Sequence, residues 1–141
     1  MVRQIVLALF LSTGGIAGQT QNPTATTSKL NLAPLFANIW RITSATPYPN
    51  SSSIYIFLRN GTLFETSCVE TYRVATWKAE AKTPNILEVT EDGRVAFTAK
   101  ILSLTSRNLH LRQTLALGNR EVRDLTLTAI DKEFVCPDMP R

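Results

Sequence analysis

From Leu32 onward, the sequence alternates between short β-favouring segments and pairs of turn-forming residues. The segments are rich in Val, Ile, Thr and aromatic side chains, which favour strands. No ten-residue stretch between them has the 3.6-residue apolar period of a helix. The predicted strands are Asn38–Ser44, Ile54–Arg59, Thr62–Cys68, Tyr72–Ala81, Ile86–Thr90, Arg94–Thr105, Asn108–Leu117 and Val122–Ile130. Strands joined by such short turns are antiparallel neighbours, so the sequence predicts an all-β, eight-stranded antiparallel meander.

The clearest turn signal is Asn60-Gly61, which separates two of these strands. Asn-Gly between β segments predicts a tight hairpin, and we expect a positive φ at both turn positions. Eight antiparallel strands in one small domain have two stable arrangements, a closed barrel or a sandwich of two sheets. We favour the barrel because closure removes both exposed sheet edges, while the sandwich stays open as the alternative.

Alternation within the strands predicts which side chains face the core. In the seventh strand Leu109 and Leu111 share one face, which Gln113 interrupts, and the polar residues between them share the other. Such strands have one buried and one wet face. The segment 54–58 is apolar on both faces. We expect Tyr55 and Phe57 to point outward there and to be covered by the N-terminal lead-in or by a partner.

The N-terminal region has the pattern of an export signal. Arg3 precedes an apolar run of seven residues, 5–11, and small residues follow at Gly15 and Ala17. This pattern predicts a signal peptide over residues 1–17. A membrane-spanning helix needs about 20 apolar residues, so no stable membrane span is expected. We therefore predict a secreted or periplasmic protein with a flexible N-terminal segment, 18–31, and a barrel domain, 32–141.

Composition narrows the possible functions. The 141 residues include 15 basic and 11 acidic side chains, a net charge of +4, but no run of five basic residues. Scattered positive charge does not track a phosphate backbone, so no nucleic-acid partner is expected. The chain has one His and lacks Gly-x-Ser-x-Gly, Walker and Cys-x-x-Cys motifs. We therefore expect neither an enzyme, nor a metal site, nor a cofactor.

The two cysteines, Cys68 and Cys136, predict a disulfide. In an exported protein an isolated pair of cysteines usually forms a bridge. Closing so long a loop would stabilise the fold by about 4 kcal/mol. A nucleophilic or metal-binding cysteine is the alternative, and it lacks partners because His110 lies mid-strand on a polar face.

The segment 32–36 could form one short turn of helix before the first strand. This turn, a Trp near the start of the first strand, the eight-strand meander, the Asn-Gly hairpin and the expected C-terminal disulfide together resemble the calycin group. The chain is most similar to the short bacterial lipocalin-like domains. Where that family usually has Gly-x-Trp, this sequence has Asn38-Ile39-Trp40. The resemblance implies an Arg packed over Trp40, with Arg123 the first candidate and Arg112 the second. It also implies binding of a small apolar ligand in the barrel mouth.

Several further residues are candidates for a ligand pocket. Glu65, Glu70, Tyr72 and Arg73 surround Cys68 and predict a polar patch that orients a ligand at one barrel end. The alternative is a solvated turn. For Trp77 two placements stay open: its side chain lines this pocket, or it is part of the hydrophobic core.

The function predicted from these features is an exported lipocalin-like module that binds a small apolar or amphipathic ligand. The alternative is a protein-binding barrel, such as a periplasmic protease inhibitor or an assembly partner. The chain also resembles small periplasmic inhibitors that block a metalloprotease with an extended N-terminal trunk, a role in which residues 18–31 would serve. The alternative for residues 18–31 is a disordered linker with no binding role.

Overall fold

The protein folds into a closed eight-stranded β-barrel preceded by one short helix. A computed structural model describes residues 30–47, 53–67 and 71–131. The elements are α1 (Ala33–Ala37), β1 (Trp40–Thr46), β2 (Ile54–Phe57), β3 (Thr62–Thr66), β4 (Arg73–Ala79), β5 (Ile86–Glu91), β6 (Arg94–Leu104), β7 (Asn108–Leu115) and β8 (Val122–Ala129). Each strand runs antiparallel to its neighbours in chain order. This confirms the predicted all-β meander.

Closure depends on the ladder between the first and last strands. β1 pairs with β8 from Trp40 opposite Ala129 to Thr46 opposite Asp124, with one irregularity after Ile42. This ladder joins the two edges that an open meander would expose, so the barrel is confirmed over the sandwich. Edge closure satisfies the backbone N–H and C=O groups of both terminal strands.

The β2–β3 hairpin differs from the two-residue turn expected at Asn60-Gly61. Gly61 has φ +86°, whereas Asn60 keeps a negative φ, so the expectation of two positive φ angles is wrong. Leu58 and Thr62 close the hairpin instead: the Gly61 N–H donates to the Leu58 carbonyl (3.1 Å) and the Leu58 N–H donates to the Thr62 carbonyl (2.8 Å). This is a three-residue loop that ends in one left-handed glycine.

A turn with two positive φ angles does occur, between β5 and β6. Asp92 has φ 48° and Gly93 has φ 76°. Glu91 and Arg94 are directly paired across the ladder, which leaves two residues in the loop. Asp-Gly is a preferred sequence for such a turn because both residues tolerate the left-handed conformation.

The barrel interior is filled by the apolar residues of alternating strand positions. Its largest fully buried side chains are Trp40, Phe57, Leu35, Leu63, Leu87, Leu109, Leu111, Leu127 and Val89. Burying these side chains is the main source of stability for the barrel.

Tyr55 and Phe57 face this interior, so the prediction that they point outward is wrong. Tyr55 is paired with Trp40, and Phe57 is paired with Leu63. Directly opposed residues of an antiparallel ladder share one face of the sheet. Because Trp40 and Leu63 are buried in the core, their partners are buried there too. The outward residues of β2 are therefore Ile54 and Ile56.

One end of the barrel, which we term the closed end, is covered by α1. Leu35 of α1 is fully buried, and the Trp40 Nε1–H donates to its carbonyl oxygen (3.0 Å). Phe36 stacks on Trp77 with ring centroids 5.5 Å apart, and the Arg59 guanidinium lies 4.8 Å from the Phe36 centroid. The opposite end, where β1–β2, β3–β4, β5–β6 and β7–β8 connect, is termed the open end.

Several sequence predictions fall outside the described residues. These include the signal peptide over 1–17, nearly all of the segment 18–31, Glu70 of the predicted polar patch, and both Cys68 and Cys136, so the disulfide remains a prediction. Leu30, at the end of the segment expected to be flexible, packs against the barrel core. In the described part of the chain, none of the helical structure is long and apolar enough to cross a membrane.

Candidate functional site

A cavity of about 150 Å³ lies inside the barrel at the open end. It is bounded by inward-facing side chains of β1–β4, β7 and β8 and by Ser53, which precedes β2. The lining residues are Ile42, Ala45, Ser53, Tyr55, Glu65, Thr66, Arg73, Gln113, Arg123 and Leu125. One part of this wall is apolar and the other carries hydrogen-bonding and charged groups, so the cavity suits a molecule with both characters.

The cavity is found where the inward side chains become small or polar. Near the closed end, β3 and β7 contribute Leu63, Leu109 and Leu111 to the core. Two positions further along the same faces, β3 has Glu65 and β7 has Gln113, which are the only polar residues buried within the described ranges 30–47, 53–67 and 71–131. These groups replace part of the apolar filling, and space remains beside them.

Glu65 is the most unusual group of the cavity. It is 7% exposed, and its Oε1 atom is buried without a hydrogen-bond partner in the part of the chain that the structure describes. Burial raises the pKa of Glu65 to about 7, the nearby Glu91 carboxylate acts in the same direction, and Arg73 opposes them. A buried carboxyl with this pKa exists in both protonation states near neutral pH.

Tyr55 and Gln113 form a neutral polar pair beside Glu65. Both residues are buried, and their side chains are hydrogen-bonded to each other. Burial, together with the charge of Glu65, raises the pKa of Tyr55 well above its ordinary value. The phenol therefore keeps its proton and acts as a neutral hydrogen-bonding group at the cavity wall.

Arg73 and Arg123 bring positive charge to the same end of the barrel. The Arg123 Nε donates to Glu121 Oε1 at 2.8 Å in a half-buried ion pair. Arg73 stands opposite Glu65 in the β3–β4 ladder and favours its ionised form. Of the charged groups, only Glu65, Arg73 and Arg123 line the cavity; Glu91 acts on Glu65 from outside the lining and Glu121 pairs with Arg123, so these five groups carry no excess of positive charge.

The structure separates the pocket residues predicted from the sequence into three groups. Arg73 and Arg123 line the cavity. Tyr72 is 69% exposed and meets Phe64 edge-on at a centroid distance of 6.4 Å, outside the cavity. Arg112 is exposed on the outer face, where its Nε and Nη2 atoms donate to the Asp124 carboxylate at 2.8 and 3.0 Å.

The two tryptophans form the third group and lie near the closed end. Trp77 is partly buried against the core, and its Nε1–H donates to the Leu58 carbonyl at 3.0 Å. The expected packing of Arg123 over Trp40 is wrong, because Trp40 lies opposite Ala129. Arg123 precedes Ala129 by six positions on β8, which separates it from Trp40 by about 20 Å along the strand.

Arg112 does not take that place either, since it faces outward. The cation that contacts an aromatic ring at the closed end is Arg59, over Phe36. Its position follows from the three-residue β2–β3 loop, which turns Arg59 back toward α1. The sequence carried no period that would have indicated this contact.

Tyr55 and Gln113 were not assigned to a pocket from the sequence, whereas Glu65 and Arg73 both belong to the polar patch predicted around Cys68 and both line the cavity. A sequence signal was present for Gln113 and for the burial of Glu65. Gln113 interrupts the apolar face of β7, and Glu65 is two positions from buried Leu63 on β3. A polar residue in phase with a buried face indicates a group that is enclosed by the fold, because alternate residues of a strand share one face.

Comparison with known proteins finds no matching family model, no matching curated protein and no matching solved structure. Over residues 30–47, 53–67 and 71–131, no three His, Cys, Asp or Glu side chains are grouped to hold a metal ion. The protein-binding alternative relies either on residues 18–31 or on an outward face bearing Tyr55 and Phe57. The second surface is excluded because both side chains are buried in the core. Only Leu30 and Asn31 of the arm belong to the described ranges, so binding through the arm remains a prediction.

Proposed function

We propose that this protein is an exported, lipocalin-like binding module that holds one small amphipathic ligand in the cavity at its open end. The observation that supports the proposal is the cavity itself, which lies within a closed barrel and is lined by apolar residues together with polar groups, two of them buried. Concave sites of mixed lining inside the mouth of a β-barrel are a common location for small-molecule binding.

The volume limits the size of the ligand. Typical ligand sites measure about 300 Å³ or more, whereas this cavity measures about 150 Å³. An engineered protein cavity of about that size binds benzene. The ligand that fits therefore has about six non-hydrogen atoms, and a long acyl chain would have to displace core side chains that are already closely packed.

Methyl NMR tests the proposal directly, because Ile42, Ala45 and Leu125 place methyl groups in the cavity wall. Addition of 1-butanol is expected to shift these methyl signals saturably. The methyl groups of Leu35 and Leu109, which are fully buried outside the cavity lining, serve as controls in the same sample and should not shift. Tryptophan fluorescence is a weaker probe, since both tryptophans lie near the closed end.

A cavity-filling variant supplies the second arm. Ala45→Leu adds three carbon atoms to the wall and is expected to abolish the saturable shifts. Ala116→Leu adds the same atoms at an exposed position and is the matched control. Unchanged binding in Ala45→Leu, with the fold retained by its NMR spectrum, would show that the cavity is not the ligand site.

A further inference from the structure

Among the buried polar side-chain atoms of the described residues, Glu65 Oε1 is the one without a hydrogen-bond partner. This atom is buried, and Glu65 itself lines the cavity. The neighbouring polar groups are engaged elsewhere: Tyr55 is hydrogen-bonded to Gln113, and Arg123 is paired with Glu121. A buried polar atom without a partner is costly, and a molecule that supplies the missing bond recovers that cost.

We infer that the ligand of the open-end cavity donates a hydrogen bond to Glu65 Oε1 from a hydroxyl or ammonium group and places a short apolar body against Ile42, Ala45 and Leu125. This inference rests on the proposed binding function and specifies the chemistry of the ligand. The donor is the shared feature, and a small alcohol or a small primary amine would supply it.

The charges around Glu65 favour a donor over a carboxylate ligand. Glu91 lies close enough to act on Glu65, Glu121 is paired with Arg123, and Arg73 is the guanidinium that acts on Glu65 directly. With Glu65 ionised, these five groups sum to one negative charge. A ligand carboxylate would place a second buried negative charge beside the first, which is strongly unfavourable.

The apolar lining residues stand on strands other than the one that carries this atom. Ile42 and Ala45 come from β1 and Leu125 from β8, whereas Glu65 comes from β3. A four-carbon chain with a donor at one end therefore offers one group to the carboxyl and another to these apolar side chains. A molecule with two polar ends would bury one of them against apolar side chains without a partner.

Four probes of nearly equal size test the inference by methyl NMR titration at pH 8: 1-butanol, butylammonium, 2-butanone and butyrate. Only the first two carry a donor. We expect whichever of 1-butanol and butylammonium binds more tightly to have a dissociation constant about tenfold or more below those of 2-butanone and butyrate. A hydrogen bond to a charged acceptor contributes a difference of this size. Glu65→Leu should remove this preference and leave 2-butanone binding within about twofold of the wild type.

Glu65→Gln separates the two donor chemistries. Its side-chain carbonyl still accepts from a hydroxyl, so binding of 1-butanol should persist. It has no negative charge, so binding of butylammonium should weaken. Glu88→Gln, on the outer face of β5 and paired with Lys78, is the control and should change neither affinity.

The outcomes distinguish this inference from the proposed function. Equal binding of all four probes at the cavity methyl groups would overturn the inference and leave the binding function standing. A preference for butyrate, or a donor preference that persists in Glu65→Leu, would also overturn it. If none of the four probes shifts the cavity methyl signals, the proposed function fails and the inference fails with it.

Discussion

Glu65 should make the stability of the barrel depend on pH in a direction opposite to that of most carboxylates. Burial raises the pKa of Glu65 from its ordinary value of 4.5 to about 7 in the folded state. The folded protein therefore holds this proton more tightly than the unfolded chain does. Between pH 4.5 and 7 the folded state binds more protons, so the free energy of unfolding falls as the pH rises through this range.

The magnitude follows from the two pKa values. At about 1.4 kcal/mol per pKa unit, the difference between 4.5 and about 7 corresponds to about 3 kcal/mol. This stabilisation is complete below pH 4.5, is lost gradually up to pH 7, and is absent above it. The loss is a substantial part of the 5–15 kcal/mol that is typical of small domains.

The assay is urea unfolding of the wild type and Glu65→Gln at pH 4, 6 and 8. The variant has no proton to lose, so its stability relative to the wild type should rise by about 3 kcal/mol from pH 4 to pH 8. Taking the difference cancels the titration of the groups that the two proteins share. Glu88→Gln, which loses only the exposed ion pair with Lys78, should show a pH dependence below about 1 kcal/mol.

A difference between the wild type and Glu65→Gln that stays constant from pH 4 to pH 8 would show that folding does not raise the pKa of Glu65. So would a difference that grows as the pH falls, since that result would mean the folded state favours the ionised carboxylate. In either case the buried environment of Glu65 would have to be more polar than the structure indicates.

Four other substitutions, two of them compared with each other, test three separate parts of the structure. Gly61→Ala should destabilise the fold more than Gly93→Ala in urea unfolding. Both glycines have a positive φ, and an alanine in that conformation costs about 1–2 kcal/mol at either position. Only at Gly61 would the added Cβ also lie 3.2 Å from a backbone carbonyl oxygen of β4. Trp40→Phe should cost about 1–3 kcal/mol in the same assay, because it removes a buried hydrogen bond to the Leu35 carbonyl. Arg112→Ala should leave 1-butanol affinity unchanged in a calorimetric or NMR titration, because this side chain lies on the outer face.

Each of these tests has a clear contrary result. Equal losses for the two glycine variants would show that the close approach at Gly61 is relieved without cost. A fully stable Trp40→Phe protein would mean that the closed end does not depend on the indole hydrogen bond. Weaker ligand binding in Arg112→Ala would assign the ligand to the outer face of the barrel.

The strands were predictable because their signals are local. Alternating apolar residues and turn pairs such as Asp92-Gly93 act over a few positions, and the structure places strands where these signals occur. The prediction of a positive φ at Asn60 was wrong because Asn-Gly is compatible with both a two-residue and a three-residue loop. The hydrogen-bonded pairing of Leu58 with Thr62 selects the three-residue loop.

The orientation of β2 was not predictable from its own residues. Ile54, Tyr55, Ile56 and Phe57 are all apolar, so the strand has no period-two pattern that distinguishes its faces. Its pairing partners decide the matter. Trp40 and Leu63, from the two neighbouring strands, both face the core, and the residues opposite them must follow.

The identity and order of the eight strands follow from local sequence, because each strand and each turn is specified by neighbouring residues. The closure of β1 on β8 and the assembly of the cavity depend on the whole fold. Residues as distant in sequence as Ile42, Glu65 and Leu125 meet there. The distances between these side chains and the burial of Glu65 depend on how the sheet curves and closes. That curvature is a property of all eight strands together.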